Sequence, residues 1–132
     1  MQPPSVALYL AIVGAIDTLK IPTYTPTQDV PKKLPAVRIA LINSDPTNAY
    51  KNARQYSYPF QIDVVTGKDD LIQGLTIAYK IQDILRKLVV NGYHAELVND
   101  PSVSSLVDTS TNQPLNRQLI QVTYNIIQDT AF

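Results

Sequence analysis

The run from Tyr56 to Tyr93 most constrains how this chain can fold. It reads as a strand (Tyr56 to Val65), a tight turn (Thr66-Gly67-Lys68), one long amphipathic helix (Asp69 to Asn91) and the start of a further strand after Gly92. Leu71, Leu75, Ala78, Ile81, Leu85 and Leu88 recur at spacings of three and four, the helical period. Ile77 and Ile84 widen that stripe on one flank, Ile72 and Tyr79 on the other, and a stripe wider than about 100° predicts burial on more than one side. Thr66 and Asp69 stand at capping-box spacing, with Asp in place of Glu or Gln. Asp69 and Asp70 suit the positive end of the helix dipole, and Arg86 and Lys87 the negative end. Gly92 suits the left-handed residue that stops a helix. Such a helix is about 35 Å long and crosses a whole sheet.

The remaining segments are then read as packing on this wall. Val6, Leu10, Val13, Ile16 and Leu19 predict an N-terminal helix that begins at Pro4 or Ser5 and ends at Ile21-Pro22. Residues 20–35 follow as a proline-rich arm, with Pro22, Pro26, Pro31 and Pro35 every four to five residues. An arm of this length is a surface loop hugging the body or a partner contact. Ala36 to Asn43 alternates as a strand, with Val37, Ile39 and Leu41 on one side. Residues 44–55 read as a polar loop opened by Asp45-Pro46. In Tyr56 to Val65, Tyr56, Tyr58, Phe60, Ile62 and Val64 share one side, and Pro59 puts part of this strand at an edge or a bulge. Tyr93 to Val98 gives a third strand, residues 102–116 a loop of Ser, Thr, Asn and Pro, and Arg117 to Ile127 a fourth strand.

The expected fold class is therefore α+β, in the order α-β-β-α-β-β, with one four-stranded, mostly antiparallel sheet and both helices on one face. A chain of 132 residues is expected to form a single domain. The open face would carry Arg38, Gln61, Asp63, Gln121, Thr123 and Asn125, polar enough for water or a wet interface.

Composition excludes more than it names. Eleven basic and eleven acidic residues cancel, which argues against a general affinity for nucleic acid or an anionic membrane. There is no cysteine, hence no disulfide or thiolate metal site. The apolar run Val6 to Ile16 has no basic residues before it and is too short to span a bilayer, so neither a cleaved signal nor a membrane anchor is expected there.

The search for chemistry is nearly empty. His94 is the only histidine and lies in a strand. No Ser-His-Asp set assembles, Asp69-Asp70 reads as helix capping, and the four glycines make no phosphate loop. Gly14 and Gly74 fall inside helices at a cost of about 1 kcal/mol each against alanine, which suggests close packing at both. No enzyme activity, cofactor or metal is expected.

The order of segments and several local phrases resemble the tail-terminator and tail-completion proteins of long-tailed bacteriophages. The phrases are P-A-V-R-I (Pro35 to Ile39), Y-P-F-Q-I-D-V-V (Tyr58 to Val65) and D-D-L-I-Q-G-L-T-I-A-Y-K-I-Q-D-I-L (Asp69 to Leu85), after a short helix and a proline-rich arm and before a closing hairpin. The resemblance implies a structural role. Such a chain forms a ring, typically hexameric, caps the tail tube and joins it to the head connector. The implied partners are copies of itself, the tail tube protein and the connector protein, in the virion and, during assembly, in the host cytoplasm. Sheet edges pairing between subunits would suit a ring. Loop position and residue type single out Lys32, Lys33, Lys51 and Arg54 as electrostatic contacts, and Tyr56 and Tyr58 near an edge. The alternatives are a small ferredoxin-like ligand-binding or regulatory domain, or an enzyme with an unusual site.

Overall fold

The computed structural model describes residues 2–42, 45–50 and 53–129, with 45–50, 53–55, 128 and 129 described by their backbone alone. The elements in order are α1 (Pro4–Asp17), β1 (Thr23–Tyr24), β2 (Ala36–Leu41), β3 (Asp45–Tyr50), β4 (Ala53–Gly67), α2 (Leu71–Arg86), β5 (His94–Leu97), β6 (Ser102–Asp108) and β7 (Leu115–Asp129).

The sheet corrects the expected topology. Over the described residues it has seven strands rather than four, in the order β1-β2-β4-β7-β5, with β3 also on β4 and β6 also on β7. It is mixed, because the two-residue β1 runs parallel to β2. Both segments read as long loops, 44–55 and 102–116, contribute strands. The reason is that β3 and β6 are outer strands held through their backbones. Their Ser, Thr and Asn side chains therefore carry no apolar alternation.

The centre is the antiparallel pair β4–β7, which keeps register over both full strands, from Ala53↔Asp129 to Gly67↔Leu115. At 3.3 Å per residue each strand is roughly 50 Å long. Along the far side of β4, β2 pairs with residues 60–65 and β3 continues the line to Ala53. Along the far side of β7, β5 pairs with residues 124–127 and β6 with residues 115–121. Both outer lines break at one level, around the register pair Pro59↔Thr123. The carbonyl of Pro59 accepts from Ile42 N–H at 2.9 Å. Because N–H and C=O of a strand residue point the same way, the N–H that Pro59 lacks falls at the β2/β3 break. Across the sheet, the carbonyl of Thr123 accepts from Val98 N–H at 3.0 Å where β5 ends.

One face carries the core. Val37, Ile39, Tyr58, Phe60, Ile62, Val64, Ile120, Val122, Tyr124 and Ile126 from the strands meet Leu8, Ile12 and Ile16 of α1 and Ile77, Ala78, Ile81 and Leu85 of α2. Both helices therefore lie on this face. The segment after α2 is tied down by Gln82 Nε2 donating to the Pro101 carbonyl at 2.8 Å and by the Arg86–Asp100 ion pair at 2.8 Å.

Helix α2 is shorter than its pattern. It stops at Arg86, so its length is about 24 Å. Gly92 does take a positive φ of 87°, but in the turn before β5, with Tyr93 N–H bonded to the Val90 carbonyl. Thr66 does not cap α2; it is buried in β4, and the N-cap Asp70 makes no side-chain cap bond. Leu75 is 42% exposed and Leu71 41%, so the buried stripe runs instead through Gly74, Ile77, Ala78, Ile81 and Leu85. Gly74 is a close approach: a Cβ there would lie 3.0 Å from Thr66 Oγ1. Gly14 is not, since a Cβ there would meet nothing within 4 Å.

Candidate assembly surfaces

The second face of the sheet is divided. Its lower half is covered by the proline-rich arm, where Tyr24, Ala36 and Val65 are buried and Val30, Leu34 and Leu115 pack around them. The arm folds against the sheet because its few apolar residues find this patch. Pro22 helps to hold it, its carbonyl accepting from Val37 N–H at 2.9 Å.

Beside that patch lies a charged cluster. Arg38 and Asp63 are direct register partners on β2 and β4. Asp63 is fully buried, with Oδ2 accepting from Arg117 Nη1 at 2.9 Å and Arg38 Nη2 3.7 Å away. Arg117 also meets Asp108 of β6 at 3.1 Å. Two guanidiniums and two carboxylates cancel within the cluster. Burial pushes the Asp63 carboxyl above its ordinary value, against the pull of Arg117 and Arg38. Burial likewise pushes the Tyr24 phenol up, and the Asp63 charge adds to it. Asp63 Oδ1, Arg38 Nε and the Tyr24 hydroxyl are buried without a protein partner. The sequence signal for the pairing was present, since opposite charges fall on the same face of neighbouring strands.

The upper half of this face is open. A shallow groove of about 250 Å³ runs along the strand break, lined by Ile42, Pro59, Gln61, Gln121 and Thr123 among others. A second hollow of about 220 Å³ continues it toward Asn99, Asp100 and Ser102. Among the described residues the polar groups of this lining are amides, hydroxyls and one carboxylate, set among Ile42, Pro59, Phe60 and Val122, with no nucleophile–base pair. His94 Nε2 sits 2.9 Å from Glu96 Oε1 on the exposed side of β5. Among the described residues no group of three or more His, Cys, Asp or Glu converges as a metal site, and no helix is long and apolar enough to cross a membrane.

The residues singled out from sequence fall into separate places. Lys32 and Lys33 are exposed on the arm, next to Leu34. Lys51 lies outside the described residues, and Arg54 is described by its backbone only, paired with Gln128. Tyr56 is half-buried and Tyr58 is 4% exposed in the core, with ring centroids 6.0 Å apart. Leu34 packs against the cluster of Tyr24, Ala36 and Val65, so the lysine pair and Tyr56 lie toward opposite ends of β4. No single patch unites them.

Sequence reading missed the exposed apolar side chains. Leu71, Ile72, Leu75 and Tyr79 line the outer side of α2, with Ile72 74% and Tyr79 69% exposed. Val6 and Leu10 do the same on α1. Contiguous exposed apolar surface of this kind is uncommon on a free monomer. The pattern was visible as the unusually wide stripe of α2, but was assigned to the core.

No family model matches the chain. No curated protein matches it either. Solved structures do share its fold over nearly the whole length. One is a chain of the virion of a native gene transfer agent particle, 16% identical, with a TM-score of 0.65, covering 96% of this chain and 99% of that one. Another solved structure is 14% identical with a TM-score of 0.60, covering 95% of this chain and 96% of that one. The chain thus has the fold of a component of a gene transfer agent virion.

Proposed function

We propose that this protein is a structural component of a bacteriophage virion, and within it a tail terminator or tail-completion protein. It caps the tail tube and joins it to the head connector, acting as a ring of copies of itself. The carrying observation is the full-length likeness to a virion chain, in which neither molecule leaves a domain unmatched. The surfaces support the same reading. Apolar residues are exposed on the outer sides of both helices, the sheet ends in open strands, and the grooves lack catalytic side chains. The protein is on this reading not an enzyme and needs no cofactor. Its partners are itself, the tube protein and the connector, met in the host cytoplasm during assembly. Lys32, Lys33, Lys51 and Arg54 are the proposed electrostatic contacts.

The experiment is negative-stain electron microscopy of lysates from a phage whose copy of this gene is disrupted. Overlong tails beside full, unattached heads are the expected result. Normal, attached tails would overturn the terminator role.

A further inference from the structure

We propose that β1 is a guard strand: it occupies the β2 edge in the free subunit and gives way, on assembly, to β6 of a neighbouring copy. The inference deepens the ring reading above and rests on it.

Strand β6 is an unprotected edge. It pairs with β7 on one side and, among the described residues, with no strand on the other. Edge strands that must stay single carry lysine, proline or a bulge. The β6 sequence Ser-Val-Ser-Ser-Leu-Val-Asp has none of these. Its one charge, Asp108, is turned to Arg117 at 3.1 Å. Val107 is 60% exposed and Leu106 40%.

The opposite edge at the same height is β2. Strand β6 pairs with residues 115–121 of β7, which face residues 61–67 of β4; β2 faces residues 60–65 of β4. The pairings β2–β4, β4–β7 and β7–β6 are each antiparallel, so β6 runs opposite to β2. Copies set side by side with their strands aligned bring β6 of one against β2 of the next, antiparallel and level. Two different edges meeting head to tail generate a ring when the rotation closes.

Strand β1 stands in the way, and it is held weakly. It pairs through Thr23↔Val37 and Tyr24↔Arg38 only, in the parallel sense. Parallel pairing is the less stable kind per residue. The arm behind it rests on a satellite cluster of three buried residues, and the Tyr24 hydroxyl is buried without a partner. A segment with few buried apolar contacts opens at low free energy. An antiparallel ladder over the five levels that β6 and β2 share, those of residues 61–65 of β4, offers more backbone bonds than the two-residue bridge it replaces.

Sedimentation velocity of the purified full chain tests this with Tyr24→Ala, Ser104→Lys and the double variant; Ser104 is exposed on β6 at the level of Arg38 on β2. Tyr24→Ala raises the open fraction, so self-association should begin at about tenfold lower concentration. Ser104→Lys, a lysine on the edge strand, should cancel that shift in the double variant. Association of Tyr24→Ala at the wild-type concentration, or of the double variant like Tyr24→Ala, would overturn the proposal. If Tyr24→Ala does not fold, amide exchange on the wild-type chain decides. On concentration-driven association, residues 102–108 should gain protection while 23 and 24 lose it; retained protection at 23 and 24 sinks the guard. A terminator phenotype alongside either negative result removes the guard and leaves the role standing, whereas normal tails in the disrupted phage remove the role itself.

Discussion

The phenol of Tyr124, on the central strand β7, donates to the backbone carbonyl of Leu85 across 2.7 Å in the buried core. Leu85 lies in the last turn of α2, where carbonyls have no partner within the helix. The bond therefore anchors the helix end to the sheet. Burial pushes the phenol's pKa up, which keeps it a donor across the accessible pH range. Tyr124→Phe removes this donor and leaves the carbonyl only the longer bond from Leu88 N–H at 3.4 Å, at an expected cost of about 0.5–1.5 kcal/mol. Urea unfolding should show a lower midpoint at unchanged slope; an unshifted midpoint would deny the bond any role.

Leu85 and Leu75 share one heptad-like stripe but not one environment. Leu85 is fully buried, and Leu85→Ala should cost about 2–5 kcal/mol. Leu75 is 42% exposed, so Leu75→Asp should change stability by no more than about 0.5 kcal/mol. Sequence pattern alone places both side chains in the core, and thermal melts of the two variants separate the readings.

The two helical glycines should respond in opposite ways. Gly14→Ala adds a methyl group into open space and should stabilise by up to about 1 kcal/mol through helix propensity. Gly74→Ala places its methyl carbon 3.0 Å from Thr66 Oγ1, and buried β-branched Thr66 has little freedom to yield. No gain, or a loss, is expected there in the melting temperature. A rise at Gly74 matching that at Gly14 would mean that α2 stands further from the sheet.

The carboxylates should titrate on both sides of the ordinary Asp value of 3.8. Burial raises Asp63 above it. Hydrogen bonds from Arg86 hold Asp100 below it, and bonds from the Ser110 hydroxyl and amide hold Asp108 below it. The signs for folding follow from linkage. The raised Asp63 contributes stability below its unfolded pKa and loses it as pH rises through its folded pKa. Asp100 and Asp108 contribute stability above their unfolded pKa and lose it as pH falls through their folded values. Carboxyl carbon NMR titration reads all three. An Asp63 midpoint below 3.8 would show that the guanidiniums outweigh burial.

The sequence by itself determined the elements whose side chains alternate against a core. The stretches 36–43, 56–65 and 117–127 and the α2 pattern are written in apolar periodicity, because each of these residues must choose between the core and the other face. The same logic put Arg38 and Asp63 on one face. Tertiary structure alone decided the rest. Strands β1, β3 and β6 are held by backbone hydrogen bonds to strands distant in sequence or by a hairpin, and such bonds leave no mark on side-chain pattern. The end of α2 comes where Tyr124 claims the Leu85 carbonyl, 39 positions along the chain. The exposure of Leu71 and Leu75 depends on which side of a wide apolar stripe the sheet reaches. Asp63 is fully buried where Arg38 of β2 and Arg117 of β7 reach it. In each case a partner far along the chain fixes the outcome, and local pattern cannot encode where that partner will stand.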